Sequence, residues 1–202
     1  MILNNLKPLI ISGPSGCGKT TLISHLLTLY PKNFELSVSH TTRNKRAQEK
    51  EGFHYYYVAK ENFESRIKNN DFLEFEEVHG KFYGTSKNEI TRILAKSKIP
   101  LLDIDIKGAI NIHKNCRIQD ANYLFIMTKE IKTLEQRLIS RGTENPETLK
   151  IRIKNARDEI KLAKESNIYG EKNYIYNDED LDSSKNEFTI KIQELYGNLL
   201  KV

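Results

Sequence analysis

Cysteine is scarce in this chain, with only Cys17 and Cys116 among 202 residues. Two thiols, one of them inside a glycine-rich stretch, make no disulfide framework, so a reduced, cytosol-like compartment is expected. No apolar run approaches the ~20 residues of a membrane span. Met1 to Lys7 lead straight into a strand pattern, leaving no room for a cleaved signal or transit peptide. There is no internal repeat, no low-complexity tract and no Pro/Gly/Ser linker. Charge of one sign never accumulates into a block: 32 basic residues are dispersed among 27 acidic ones, for a net charge of +5. That leaves no basic stripe for nucleic acid, which is not expected as a partner. His25, His40, His54, His79 and His113 show no metal-ligand spacing.

What is present begins with residues 13 to 20, Gly13-Pro14-Ser15-Gly16-Cys17-Gly18-Lys19-Thr20, a full match to G-x-x-x-x-G-K-[ST]. An apolar run, Pro8 to Ser12, precedes it, and Leu22, Ile23, Leu26, Leu27 and Tyr30 follow at helical spacing. Strand, glycine loop and helix in that order make a phosphate-binding loop. Its glycines let backbone N–H groups turn inward on an anion, and the helix aims its positive end at the same point. Lys19 adds a charge at the β and γ phosphates, and the Thr20 hydroxyl is placed to ligate Mg²⁺.

Further strands are predicted at Phe34 to Ser39, Ile99 to Ile104, Ala121 to Met127 and Asn173 to Tyr176. Helical patterns fall between them, as the βαβ units of a parallel sheet demand. Leu149, Ile153, Ala156, Ile160 and Ala163 form one helical stripe; Phe188, Ile192, Leu195 and Leu199 form another. Ser86-Lys87-Asn88-Glu89 has capping-box spacing. Residues 40 to 85 differ. Phe53 to Val58 is aromatic and β-prone, and Phe72 to Val78 alternates apolar with acidic, as a half-buried strand does. They predict a small, mostly antiparallel insertion. Arg141 to Pro146 interrupts the later helical pattern and suits a mobile lid loop.

Several segments then line up with a known family. Ser37 to Arg43, Arg46, Glu49, Gly52, Tyr55, Glu74, Tyr83 to Ser86, and Asp103-Ile104-Asp105 resemble guanylate kinase in order and spacing, as do Arg137-Leu138, Arg141 to Glu144 and Arg152. The match runs over roughly residues 8 to 198. The resemblance implies an α/β fold: a three-layer P-loop NTPase core with a parallel sheet (about 1–36, 87–136 and 168–202), a GMP-binding insertion (about 37–86) and a helical lid (about 137–167). It implies Mg²⁺-dependent phosphoryl transfer from ATP to GMP (and dGMP) in the cytoplasm, by a monomer or homodimer that needs no membrane. ATP would lie on Gly13 to Thr20, Thr21 and Asn177. Arg43, Arg46, Tyr55 and Tyr83 match the residues that hold the GMP phosphate, with Glu49 in the same GMP-binding set. Ser39, Glu74, Thr85 and Asp105 match those that read guanine. Asp103 falls beside metal and phosphates, and Arg137, Arg141 and Arg152 clamp the phosphates from the lid.

That assignment is chemically coherent. Guanine offers its N1–H and exocyclic amine to a carboxylate such as Glu74 or Asp105, and its O6 to a hydroxyl such as Ser39 or Thr85. Adenine reverses that edge and would leave the same groups unpaired, at about 1–3 kcal/mol each. Arginine forks at 43 and 46 suit a phosphate, and no general base is needed because the acceptor is already an anion. Taken singly the residues have plainer readings: Tyr55 as strand packing, Asp103 and Asp105 as helix caps, Glu74 as a solvated carboxylate. Their joint order favours the site.

Two departures and one separate feature, Cys17, stand out. Lys107 replaces the family's usual glutamine, and either strengthens phosphate contact or points to solvent. Lys45 and Gln48 stand where proline and glycine are common, which implies a more flexible 43–49 loop. Cys17, at a helix N-terminus near Lys19, is expected to have a lowered pKa and a reactivity that would let its oxidation block nucleotide binding; the alternative is an inert small residue. Two competing functions remain. A ribose 1,5-bisphosphate phosphokinase needs no guanine-reading set, and a non-catalytic guanylate-kinase-like binding module commonly lacks an intact phosphate loop.

Overall fold

The computed structural model describes residues 6–78, 80–115, 117–118, 120–140, 146–178 and 180–200, with the side chain of Pro146 excepted. In chain order the elements are β1 (Leu9–Ser12), α1 (Lys19–Leu29), β2 (Phe34–Leu36), β3 (His40–Thr41), β4 (Tyr56–Tyr57), α2 (Lys60–Lys68), β5 (Phe72–Val78) and β6 (Lys81–Ser86). There follow α3 (Lys87–Leu94), β7 (Ile99–Asp103), α4 (Ile106–Lys114), β8 (Asn122–Met127), α5 (Ile131–Ser140), α6 (Pro146–Ser166), β9 (Tyr174–Tyr176) and α7 (Leu181–Tyr196).

The five strand segments predicted for the frame form one sheet in the order β2-β7-β1-β8-β9, and all its ladders are parallel. Leu9, Ile10 and Ile11 are completely buried because helices cover both faces, which is why their run is apolar rather than alternating. Each such side chain is worth about 1.5–3 kcal/mol of transfer free energy. Successive residues still point to opposite faces. Leu9, Ile11, Leu124 and Ile126 join one core with α1 and α7, while Ile10, Tyr123 and Phe125 join a second with α4. The α6 stripe divides between them. Leu149, Ile153 and Ala156 pack on the first core, Ile160 and Ala163 on the second, so this helix crosses from one face to the other.

Residues 40–86 form the second sheet, β4-β3-β6-β5. Its β3/β6 and β5/β6 ladders are antiparallel, and β3/β4 adds a short parallel edge. Only Tyr56 and Tyr57 of the predicted 53–58 strand pair in it. Helix α2 was not anticipated, because its polar sequence carries no apolar stripe. One fully buried anchor holds it: Phe63 stacks on Phe72 and Phe82 at centroid distances of 4.4 and 5.3 Å.

Two local features of this sheet matter for the site. The β5/β6 register slips between Phe72 and Glu74, as a β-bulge does, and Phe72, Leu73 and Glu74 are all buried in succession. The bulge therefore turns Glu74 inward, against the simple alternation. Ser86 caps α3 as expected, its hydroxyl accepting from the Glu89 N–H at 3.3 Å. Glu89 does not close the box; its carboxylate accepts instead from Val38 N–H at 2.9 Å.

Candidate active site

The phosphate loop leaves β1 at the carboxyl edge of the parallel sheet, where open α/β folds bind their ligands. Gly13 has φ 152°, and a Cβ there would lie 2.0 Å from the Ile126 carbonyl oxygen. Gly18 has φ 89°, and a Cβ there would lie 2.1 Å from Asn177 Nδ2. No other residue fits either position. Lys19 lies back along the loop and donates to the Gly13 carbonyl at 2.5 Å. Thr20 and Thr21 open α1 with exposed side chains. Pro14 is buried and its carbonyl accepts from Cys17 N–H.

The expectation for Cys17 is overturned. Its thiol is fully buried in the first core cluster, and burial pushes its pKa up, outweighing the opposing pull of Lys19. Helix-terminus activation requires a sulfur that faces the anion site, and this one faces the hydrophobic side.

Around the loop, Arg152 on α6 donates to the Ser15 hydroxyl at 2.9 Å, so an arginine predicted for the lid reaches the loop tip. Asn177 donates to the Cys17 carbonyl at 2.8 Å, while its buried Oδ1 has no partner among the described residues. Arg137 does not bond the loop. Its fork is engaged by the carbonyls of Asn177 and Asp178, which ties α5 to the segment after β9. Residues 141–145 of the predicted 141–146 lid loop, Arg141 among them, lie outside the described residues, and Pro146 already begins α6.

On the inserted sheet, Arg43 and Glu49 form a two-pronged ion pair at 2.7 and 3.0 Å. Glu49 also accepts from Arg46 N–H and from the Tyr57 hydroxyl, both at 2.8 Å. The fork of Arg43, followed by the Arg46 N–H, holds the Glu49 carboxyl down to about 2. This ring of bonds braces the 43–49 loop, against the flexibility that Lys45 and Gln48 suggested. Tyr55 stacks edgewise on Tyr83 at 5.8 Å, with the Arg43 guanidinium 5.5 Å from the Tyr55 ring. The Arg46 side chain is exposed. A cationic, tyrosine-walled cradle results.

Ser39, Thr85, Glu74 and Asp105 are brought together from four segments. The Ser39 and Thr85 hydroxyls are 3.3 Å apart, and Thr85 N–H donates to Glu74 Oε1 at 2.9 Å. Glu74 is 8% exposed, so it is not the solvated carboxylate of the plainer reading. Burial raises its pKa from an ordinary 4.5 to about 7; the hydrogen bond from Thr85 opposes the shift, and the nearby Asp105 charge adds to it. Asp105 has two roles: Oδ1 caps α4 at Gly108 N–H, 2.7 Å away, while the carboxylate stays within electrostatic reach of Glu74. Gly108 keeps the two acids close, since a Cβ there would lie 2.9 Å from Glu74 Oε2 and 3.4 Å from Asp105 Oδ1.

Asp103 ends β7 and lines one cleft of about 820 Å³ with Thr20 and Tyr55. It is solvent-accessible at the floor of that cleft, yet enclosure by the protein raises its pKa against the pull of Lys19. A threonine hydroxyl and a carboxylate are hard oxygen donors that fit Mg²⁺, whose remaining positions phosphate oxygens and water normally fill. Among the described residues no cluster of three or more His, Cys, Asp or Glu forms a cage for a metal.

Sequence reasoning missed Glu159. On α6 it is half-buried, its pKa is pushed up to about 7 by burial, and it feels Lys19, Asp105 and Lys107. It stands beside the stripe member Ile160 but off the apolar stripe itself, where a glutamate reads as solvated surface and gives no signal. Lys107 is exposed and its charge acts on Glu76 and Glu159.

A glycine loop between a parallel strand and a helix, with a second sheet inserted across the cleft, defines a P-loop nucleotide-binding protein. The family model for guanylate kinase matches residues 5–194. The chain is 44% identical over 175 residues to guanylate kinase 1 of Arabidopsis thaliana, covering 87% of this chain and 44% of that protein. It is 43% identical over 159 residues to guanylate kinase of Clostridium tetani, covering 79% and 74%. It thus spans less than half of the plant relative and about three quarters of the bacterial one. A crystal structure of guanylate kinase from Anaplasma phagocytophilum superposes with a TM-score of 0.65 at 28% identity, covering 93% of this chain and 85% of that one. The chain belongs to the guanylate kinase family.

Proposed function

We propose that this chain transfers the γ-phosphate of Mg-ATP to GMP, and to dGMP, giving ADP and GDP. The observation that carries this reading is the buried Glu74 carboxylate facing the Ser39–Thr85 hydroxyl pair, a set with the donor and acceptor needs of guanine. In this reading 37–86 is the acceptor-binding unit and 137–167 the lid.

The residues divide the work. Gly13 to Thr20 bind the ATP phosphates through backbone N–H groups, and Lys19 swings from the Gly13 carbonyl to the β and γ oxygens. Thr20 and Asp103 hold Mg²⁺, which when bound neutralises phosphate charge. The unpaired Oδ1 of Asn177 suits the adenine amino group. Arg43, Arg46, Tyr55 and Tyr83 orient the acceptor phosphate, with Glu49 bracing Arg43 for that task. Glu74 and Asp105 accept from guanine N1–H and the exocyclic amine, while Ser39 and Thr85 donate to O6. Arg152, already at Ser15, and the other lid arginines neutralise the transferring group and exclude water on closure. A reducing, cytosol-like compartment suits this role.

The test is ADP formation from Mg-ATP with GMP, AMP, CMP, UMP and ribose 1,5-bisphosphate offered separately. Turnover confined to GMP and dGMP is expected. Turnover with the sugar bisphosphate would assign the other enzyme. A folded chain that binds ATP but uses no acceptor would point to a binding module.

A further inference from the structure

Glu89 is a carboxylate that the reaction as described leaves unused, although it is 3% exposed and surrounded by donors. Val38 N–H donates to its Oε1 at 2.9 Å. Arg92 donates twice, from Nη2 to Oε1 at 2.6 Å and from Nε to Oε2 at 3.0 Å. The third arginine nitrogen reaches Glu35 on β2 at 2.5 Å. The Glu89 backbone N–H is itself held by the Ser86 hydroxyl.

These contacts lie where the chain leaves the parallel sheet and where it returns. It leaves through Val38, one residue before Ser39, and returns through Ser86, one residue after Thr85. The β3/β6 ladder, which would fix the spacing of the two crossings, ends at the pair His40–Gly84. Ser39 therefore lies just beyond the last ladder pair, with its carbonyl accepting from Tyr56 N–H on β4 at 2.9 Å, while the residue before it has no ladder partner. Glu89 extends the cross-link beyond the ladder, since its side chain holds the residue before Ser39 and its main chain is held by the residue after Thr85.

We infer that Glu89 is a positioning residue for the acceptor base: by holding Val38 N–H it sets the Ser39–Thr85 hydroxyl pair at the 3.3 Å spacing that converges on one carbonyl oxygen of the ligand. This rests on the reading that those hydroxyls face guanine O6. Glu89 touches no substrate; it acts through Val38. Arg92 and Glu35 keep its charge paired and anchor the clamp to β2.

Three variants of the full chain test this: Glu89→Ala, Glu89→Gln and Glu89→Asp. The readouts are KM for GMP, KM for ATP, melting temperature and hydrogen exchange at the Val38 amide in nucleotide-free protein. Glu89→Ala is expected to raise KM for GMP about tenfold, to leave KM for ATP within about twofold and to speed Val38 exchange. Glu89→Gln keeps an oxygen acceptor in place and recovers most of both effects. Glu89→Asp withdraws the acceptor by one methylene and stays impaired despite its charge. If Glu89→Ala does not fold, the order of the other two decides. An aspartate variant like wild type beside an impaired glutamine variant would show that the charge pair with Arg92 matters rather than the hold on Val38, and would overturn the inference. So would a folded Glu89→Ala protein with unchanged KM for GMP, or with equal rises in both KM values. Absence of GMP turnover in the wild-type chain is the separate failure of the function reading, and Val38 exchange then still reports whether the clamp exists.

Discussion

The two halves of the cleft are built on opposite plans. The half proposed to hold the phosphate donor is one uninterrupted octapeptide, Gly13 to Thr20, whose shape follows from its own backbone: three glycines at positive φ and a helix that starts at Lys19. The acceptor half is collected from β3, β5, β6, the 43–57 segment and the start of α4. Its geometry is set by side-chain bonds that span 3 to 51 residues, from Arg46–Glu49 to Val38–Glu89. A loop of this kind tolerates change around it, because its ligands are mostly main-chain groups. A collected site depends on every tie, and so concentrates specificity where the chain is easiest to perturb.

The comparison can be broken most forcefully at Lys19. Lys19→Ala is expected to cut kcat by about a thousandfold or more with little change in melting temperature, because its only described bond is to Gly13. Rapid-quench turnover with saturating GMP checks this. A near-normal kcat would mean that the loop lysine does not act on the transferring group.

Next comes Glu74. Glu74→Gln puts an amide where the proposed reading has a carboxylate accept from guanine, and kcat/KM for GMP should fall by about a hundredfold or more, with KM for ATP little changed. This carboxyl also predicts a pH signature. In the proposed reading GMP binding uses the ionised form, so wild-type KM for GMP should fall as pH rises through about 7, and Glu74→Gln should flatten that profile. Stability runs the other way. The folded-state pKa is raised, so the unfolded chain ionises first as pH rises from about 4.5 to about 7, and the folded state loses ground by an amount on the order of 3 kcal/mol. Melting curves from pH 4.5 to 8 should show Glu74→Gln gaining on wild type across that window. Parallel curves would place Glu74 in water.

Arg43 sharpens the contrast more modestly. Arg43→Lys keeps the charge but not the fork that grips Glu49, and should lower kcat/KM for GMP about tenfold while leaving ATP saturation unchanged. An equal effect on both substrates would put Arg43 on the donor side. The smallest effect concerns Cys17. Its buried, raised-pKa thiol should be alkylated at least about tenfold more slowly in the native protein than in the denatured one. Intact-mass labelling at pH 8 measures this, and equal rates would restore the exposed, activated cysteine that the sequence suggested.

The same division explains what the sequence could reveal. The loop, the five parallel strands, the α6 and α7 stripes and the Ser86 cap are local patterns, and each is present where its residues placed it. The orientation of Glu74 was not legible, because a bulge between Phe72 and Glu74 reverses the alternation that the residues display. Helix α2 depends on one phenylalanine meeting two others across the insertion. Glu89 has the spacing of a capping-box member, yet a donor 51 residues away claims its carboxylate. Glu159 acquires its raised pKa from burial that only the folded packing of α6 creates, against the lowering pull of Lys19. Cys17 shows the converse: a local rule about helix termini failed because the side chain faces the core rather than the anion site.

The central claim is that donor and acceptor are held by separable halves of one cleft. Calorimetric titration of Lys19→Ala and Glu74→Gln with ATP and with GMP tests it most directly. The account predicts a crossed result, in which Lys19→Ala loses ATP affinity and keeps GMP, while Glu74→Gln loses GMP affinity and keeps ATP. If each variant weakened both nucleotides to the same degree, the division of the cleft described above would be wrong.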